Sequence, residues 1–444
     1  MGTSKTIFIL LTVLLLASCK EEYLEKKPDK SLVVPVTIKD FQALLDHEEV
    51  MNQSPALGVL GADEYYFTPD RWAALIAVER NGYIWNKEIY EGSSIADWNS
   101  AYVQVFYSNV VLEGLNKIPP TEATLAEYNQ LKGSALFYRA NAFFNLAQVF
   151  APPYQSASAS LSGIPLRLSP DINEVSRRAG LSETYDRILK DLNLARDLVP
   201  AKVSFKTRIS KPAVHALLSR VYLIMQDYEK ALAHANSALA LNSSLLDYNV
   251  LNSSASRPVP ANNAEVIFNS LLVSRSFLRT AVRDTVLYRS YHVNDLRRTI
   301  FFTAAGNFRG TYSGNLNFFA GLANDELYLT RAECLARKGE KDAAMAAIND
   351  LLIKRYRTGT FIPLTTVDNA GALNLILWER RKELFFRGNR WMDLRRLNLD
   401  AVFAVTLTRK LNNDMYALPA NDNRYTYPIP DEEIKRSGIE QNPR

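Results

Sequence analysis

Residues 211–241 read KPAVHALLSRVYLIMQDYEKALAHANSALAL, and this stretch decides the fold. Leu218-Ser219-x-x-Tyr222, followed by Tyr228 and Ala231, matches the tetratricopeptide pattern of Leu-small-x-x-Tyr and a packing alanine. Small residues at those places let two helices approach closely. A hairpin built this way buries its apolar face only by stacking on another. A related unit follows in TRAECLARKGEKDAAMAAINDLL (330–352), where Leu335, Ala343, Ala347 and Leu351 align with Leu223, Ala231, Ala235 and Leu239. His215 stands where the repeat often carries Trp, so it reads as a packed side chain. Cys334 lies in the apolar helical pattern of the second unit and reads as a small core residue.

Helical periodicity continues on both sides. TIKDFQALLDHEE (37–49) opens with Thr37 as N-cap and Asp40 three residues on, an acidic relative of the capping box. Long amphipathic segments at 97–118 and 125–150 flank Pro119-Pro120, which suits the turn of a helical hairpin. The expected fold is therefore mainly α, a tetratricopeptide-like helical-repeat scaffold. Its helices are placed at about 97–150, 181–241, 323–353 and 372–398. Two stretches break the pattern. Residues 51–94 are dense in Tyr, Trp and Gly; residues 243–322 are rich in Asn, Ser and Arg and include AAGNFRGTYSGN (304–315). Both read as irregular structure with short strands, and such segments on a rigid scaffold are where binding usually resides.

The N-terminus bears on location. MGTSKTIFILLTVLLLASCKEE (1–22) has an early Lys5, an apolar run from Ile7 to Leu16 and small residues after it, the layout of a secretory signal. Leu16-Ala17-Ser18-Cys19 matches the bacterial lipobox, so residues 1–18 are read as a lipoprotein signal peptide. Residues 19–444 are then one mature domain, with Cys19 as the lipidated N-terminus. The apolar run would span only ~15 Å as a helix, about half the hydrocarbon thickness. With Cys19 acylated, Cys334 has no intramolecular partner, and no disulfide framework is expected. The remaining composition, 47% hydrophobic and 22% charged over 444 residues with a formal charge of +5, is ordinary for a globular protein.

The chemistry of common enzymes is missing. His47, His215, His234 and His292 are scattered, with no HExxH pattern and no Cys/His cluster, so no metal site is expected. No GxSxG elbow, Walker loop or GxGxxG occurs. Asp63-Glu64 is an acidic pair in an aromatic loop and reads as a solvated turn. WERRKELFFRGNRWMDLRR (378–396) interleaves basic and aromatic residues like a nucleic-acid patch. Its Leu384, Phe385, Trp391 and Leu394 instead alternate as a packed helix and turn require, Gly388 suits a positive φ, and Glu379, Glu383 and Asp393 pair with the cations. The stretch reads as structural, and nucleic acid is not an expected partner.

Several stretches together resemble the SusD/RagB family of Bacteroidetes outer-membrane nutrient-uptake lipoproteins. They are Cys19 with YLEKKPD (23–29), TIKDFQALLD (37–46), YSNVVLEGLN (107–116), LKGSALFYRANAFFNLAQVFAPPY (131–154), GIPLRL (163–168), ELYLTRAECLARKG (326–339), ERRKELFFRGNRWMDLRR (379–396) and YPIPDEEIKRSGIEQNP (427–443). They keep the family's order across essentially the whole mature chain. Ser134 stands where the family often has Glu, and Arg387 where Glu commonly precedes the Gly of FEGxR. Lys20-Glu21-Glu22 behind the lipidated cysteine resembles the surface-export signal of such lipoproteins.

The resemblance implies a lipid-anchored outer-membrane protein facing outward, one that binds and does not cut. It would hold a nutrient, most often an oligosaccharide, as a lid over a SusC-type TonB-dependent transporter, with the repeats facing that transporter. No cofactor is implied. Peptide cargo is the rival within the family, and a tetratricopeptide-type surface adaptor is the reading outside it. Sugar rings present apolar C–H faces to aromatics and hydroxyls to polar side chains. The candidate ligand residues therefore come from the irregular segments: Trp72, Tyr83 and Trp85, then Tyr291, Asn294 and Arg297. Trp98, at the start of a scaffold helix, is assigned to packing, and Asp295-Leu296-Arg297-Arg298 has the alternative reading of a structural ion network. Should the aromatics prove to be core, 275–320 is the next place to look.

Overall fold

Ten helices of eight residues or more form among the described residues, 35–155 and 161–444 of the computed structural model, some with one apolar stripe and the one at 125–150 buried on every side from Gly133 onward. Cys19, Lys20-Glu21-Glu22 and YLEKKPD (23–29) lie outside the described residues. Helix α1 (Ile38–Leu45) starts at the expected capping box: Asp40 N donates to Thr37 Oγ1 at 3.2 Å, and Thr37 N to Asp40 Oδ2 at 2.9 Å. It crosses α2 (Ala96–Leu115) at Gly114, where a Cβ would fall 2.1 Å from the Phe41 ring. The close approach requires glycine.

Helices α3 (Leu125–Phe150), α4 (Leu181–Leu198), α5 (Lys211–Ile224) and α6 (Tyr228–Leu241) follow, each packed against the one before it. Then α7 (Asn324–Arg337) packs on α6, and α8 (Lys341–Leu352) and α9 (Asn369–Glu383) pack on α7. The expected hairpin at 211–241 is α5–α6. Ser219 Oγ donates to Ala231 O at 2.9 Å across it, and Ala231, Ala235 and Ala238 are fully buried. The second hairpin, α7–α8, corrects one aligned position. Ala343 is exposed and Ala344 takes the buried place, because α8 begins one residue later relative to its loop. Cys334 is buried in the core, as expected. His215 is half-buried rather than fully packed: its Nδ1 lies 2.9 Å from that of His234, whose ring stacks on Tyr222.

Buried ion pairs join the helices where apolar packing stops. Arg139 on α3 grips Asp191 on α4 through Nε–Oδ2 at 2.7 Å and a second nitrogen at 2.9 Å, and also donates to Asn109 on α2. Arg220 on α5 holds Glu326 on α7 in the same two-pronged way. Both pairs are nearly or wholly out of water.

The two irregular segments are stitched to one another. Gln53–Ser54 pairs in parallel with Leu271–Leu272, and Tyr65–Tyr66 pairs antiparallel with Val282–Arg283. The chain's last fifty residues then fasten this loop layer to the scaffold. Tyr427 Oη donates to Leu57 O at 2.7 Å, Tyr90 Oη to Pro428 O at 2.5 Å, and Asn442 to the carbonyl of Phe150 at the end of α3. No helix among the described residues is long and apolar enough to cross a membrane.

Candidate binding site in the loop layer

Most of the aromatics expected at a ligand face hold the interior instead. Trp85 is buried, with its Nε1 donating to Gly61 O at 2.9 Å, and Tyr83 is buried, with its hydroxyl accepting from Phe67 N at 3.0 Å. Arg409 lies 3.8 Å from the Tyr83 ring centre and 4.4 Å from that of Trp85, and donates to the carbonyls of Leu60, Ala62 and Tyr83. A sugar has no face of these rings to stack on. The physical reason is that an amphipathic ring fits a core once its one polar atom meets a main-chain partner.

Tyr291 and Arg297 are corrected in the same way. Tyr291 is buried and donates to Lys382 O at 2.7 Å. Arg297 is fully buried among Asp295 (2.7 Å), Glu379 (2.6 Å) and Glu383 (2.9 Å). The alternative reading of 295–298 as an ion network describes it. Trp72 and Asn294 keep some exposure. Trp72 sits on the short helix Pro69–Ala73 with Nε1 donating to Arg80 O at 3.1 Å, and Asn294 accepts from Arg357 N at 2.9 Å through its main chain. The structure does not bring the six together into one pocket.

The ion network deepens around Arg355, which joins Glu383 at 2.7 Å and Glu265 at 2.8 Å, and around Arg387, which bonds Asp325 at 3.0 Å and lies over the Tyr312 ring at 3.9 Å. Arg387 thus keeps a partner of its own. Oxygens of Glu265, Asp325 and Glu383 lie within 4.8 Å of one another, a spacing that a cation could use. Guanidinium groups already meet all three. Burial, and then the neighbouring Asp325 and Glu383, push Glu265 up to about 7 against Arg355, while Arg355, Arg297 and Arg387 overcome burial and hold Glu383 down to about 2.

The basic stretch 378–396 is likewise consumed internally. Arg380 meets Asp393, Lys382 meets Glu379, Arg396 meets Glu333, and both Arg381 and Arg390 meet Asp63. Arg395 has no carboxylate; it donates to the carbonyls of Ala147, Gln148 and Ala151 and so caps α3. Gly388 has φ +81° and opens α10 (Asn389–Leu397). Asp63-Glu64 is therefore no solvated turn. Asp63 binds Arg390 through both oxygens, and Glu64 is 1% exposed, with Oε1 accepting from Phe386 N at 2.8 Å.

Among the recesses open to solvent, two of the larger ones combine aromatic rings with arginine side chains. One, of about 470 Å³, lies between α2, the 167–176 loop and the short helix Asp431–Ser437; its lining includes an edge of Trp98 and the more open Phe106, 39% exposed. Trp98 itself is buried edge-on against Phe150, as the packing assignment requires. The other, of about 550 Å³, lies inside the loop layer. It is lined by Ser256, Arg257, Leu278, Arg279, Thr303, Asn307, Phe308, Arg309, Asn315, Leu316 and Phe318. It falls largely within 275–320 and takes Asn307, Phe308, Arg309 and Asn315 from AAGNFRGTYSGN. Sequence reading marked this region only as the 304–315 stretch and the fallback 275–320, and its clearest signal is one of charge: no Asp or Glu occurs from Leu296 to Asn324, or from Val266 to Arg283.

Comparison with known proteins defines the class. Residues 22–223 match a SusD-like family model described as "Starch-binding associating with outer membrane", and residues 325–444 match the SusD family model itself. The chain belongs to the SusD/RagB family. It is 24% identical over 419 residues to SusD-like protein P2 of Formosa agariphila, covering 78% of this chain and 79% of that one. A SusD superfamily protein from Bacteroides thetaiotaomicron superposes with a TM-score of 0.73 at 22% identity, covering 92% of this chain and 100% of that one. A laminarin-binding SusD-like protein superposes at 0.65 and 18% identity, covering 91% and 98%. These likenesses show the fold, a helical architecture containing tetratricopeptide repeats.

Proposed function

We propose that the protein captures an oligosaccharide at the bacterial surface and delivers it to a SusC-type TonB-dependent transporter in the outer membrane. The observation that carries this reading is the loop-layer cavity of about 550 Å³. It sets asparagine, serine, threonine and arginine donors around apolar Leu and Phe side chains, on a SusD fold. Hydroxyls need such donors and acceptors, and sugar C–H faces need the apolar wall. The laminarin-binding relative and the starch-binding family description support a glycan as cargo. The role is binding without cleavage.

Cys19 is the proposed lipid anchor, and the repeat helices the proposed face toward the transporter. Titration of the mature protein against glycan and peptide panels tests the cargo. The expected dissociation constant lies between ~1 μM and ~1 mM, because a feeder must release what it holds. Binding of peptides with no glycan binding would replace the reading. Cys19→Ala should yield a form free of the membrane, and sedimentation of that variant with outer membranes lacking the transporter would defeat the anchor assignment. Affinity purification from native membranes should recover a large β-barrel protein.

A further inference from the structure

The loop-layer cavity carries a charge imbalance that a neutral sugar leaves unused. Arg257, Arg279 and Arg309 line it, and no Asp or Glu does. Elsewhere the buried guanidiniums of Arg297, Arg355, Arg387 and Arg396 each meet a carboxylate. Those of Arg395 and Arg409 are taken up by main-chain carbonyls. The cavity differs. Arg257, half-buried, and Arg279, exposed, have no side-chain hydrogen bond, ion pair or ring contact among the described residues. Arg309 donates to Ser253 O at 2.7 Å, Ala255 O at 3.1 Å and Thr299 O at 2.6 Å, and its buried Nε has no partner.

A partly desolvated cation without a counter-charge is costly, and an arriving anion repays that cost. The guanidinium fork fits the paired oxygens of a carboxylate or sulfate. Burial, and then the like charge of Arg309, pull the Arg257 guanidinium below its ordinary value, as expected of a cation short of a partner. The rest of the lining still suits a sugar: Asn307 and Asn315 can serve hydroxyls, and Leu316, 57% exposed, offers an apolar face.

We propose that this cavity binds an anionic oligosaccharide, one bearing uronate carboxylates or sulfate esters, with Arg257 and Arg279 meeting the anionic group. The proposal rests on the glycan-capture reading and specifies its substrate class.

The test is calorimetric titration of the mature protein with oligosaccharides of matched length: alginate for carboxylate, carrageenan for sulfate and laminarin as neutral control, with oligoglutamate as acidic peptide. Wild type should bind at least one acidic glycan about tenfold more tightly than laminarin, and added salt should weaken that binding. Arg257→Gln and Arg279→Gln should each cost about tenfold for the acidic probe and leave the melting temperature unchanged, since neither side chain holds another part of the chain. Laminarin bound as well as or better than both acidic glycans overturns the anionic class while sparing the capture reading. Acidic binding unmoved by both substitutions overturns the site. Oligoglutamate preferred over both acidic glycans overturns the glycan assignment, and the failure of all three glycans overturns the capture reading together with this one.

Discussion

Glu64 shows how far one side chain's surroundings can move its chemistry. Burial pushes its carboxyl from 4.5 up to about 8, opposed by the Phe386 N–H and aided by the negative Asp63. Between those two pH values the folded chain keeps the proton that the unfolded chain has released. Stability therefore falls as pH rises through that window, by on the order of a few kcal/mol. Glu64→Gln retains an oxygen to accept from Phe386. Its melting temperature should match wild type near about pH 5 and exceed it near about pH 9; a difference that does not grow with pH would show that Glu64 is not the group responsible. Trp85→Ala probes the neighbouring core. Loss of a fully buried indole should cost about 3–5 kcal/mol, read as a lower denaturant midpoint. A variant as stable as wild type would put the ring back among ligand candidates. The sequence could not separate these roles, because NGYIWNKEIY is equally rich in rings whether they face a sugar or a core. The deciding fact is that Gly61 O lies within reach of Trp85 Nε1, a contact across 24 residues with no local signal.

Among the elements, the helices were legible and their joints were not. Helical spacing marks α2 to α10 to within a few residues, although α3, expected to be amphipathic, is buried on every side from Gly133 to Phe150, as a central helix packed all round must be. The buried pair Arg139–Asp191 bridges 52 residues, and nothing in either helix's pattern announces it. The loop-layer cavity is legible only as the broad region 275–320 for a related reason: aromatics do not mark it, and its distinguishing trait is cations without acids. Asp191→Ala should leave the Arg139 guanidinium buried beside Asn109 with its two strongest bonds gone. The expected loss is about 3–5 kcal/mol, measurable by urea unfolding. Replacing both partners by apolar residues of similar volume should recover much of it. A small effect of the single substitution would mean that water reaches this seam.

For the molecule as a whole, the decisive contacts are those farthest apart in the chain. Tyr427 reaches Leu57 across 370 residues, and Arg409 reaches Leu60 across 349. Removing residues 405–444 should preserve most far-ultraviolet helical signal, since α1 to α10 precede the cut, yet abolish a single cooperative melt. A truncated chain that still unfolds in one sharp step would show that the loop layer stands without its tail. Closing loops of such length is entropically slow, and early contacts cannot substitute for late ones. The repeat helices can therefore form from contacts near in sequence, whereas the 51–94 segment needs partners from 271–283 and again from 409–428. The stitching by the tail thus acts as a late clasp: it joins the loop layer to the end of α3, and the two hold one another only once that clasp is closed.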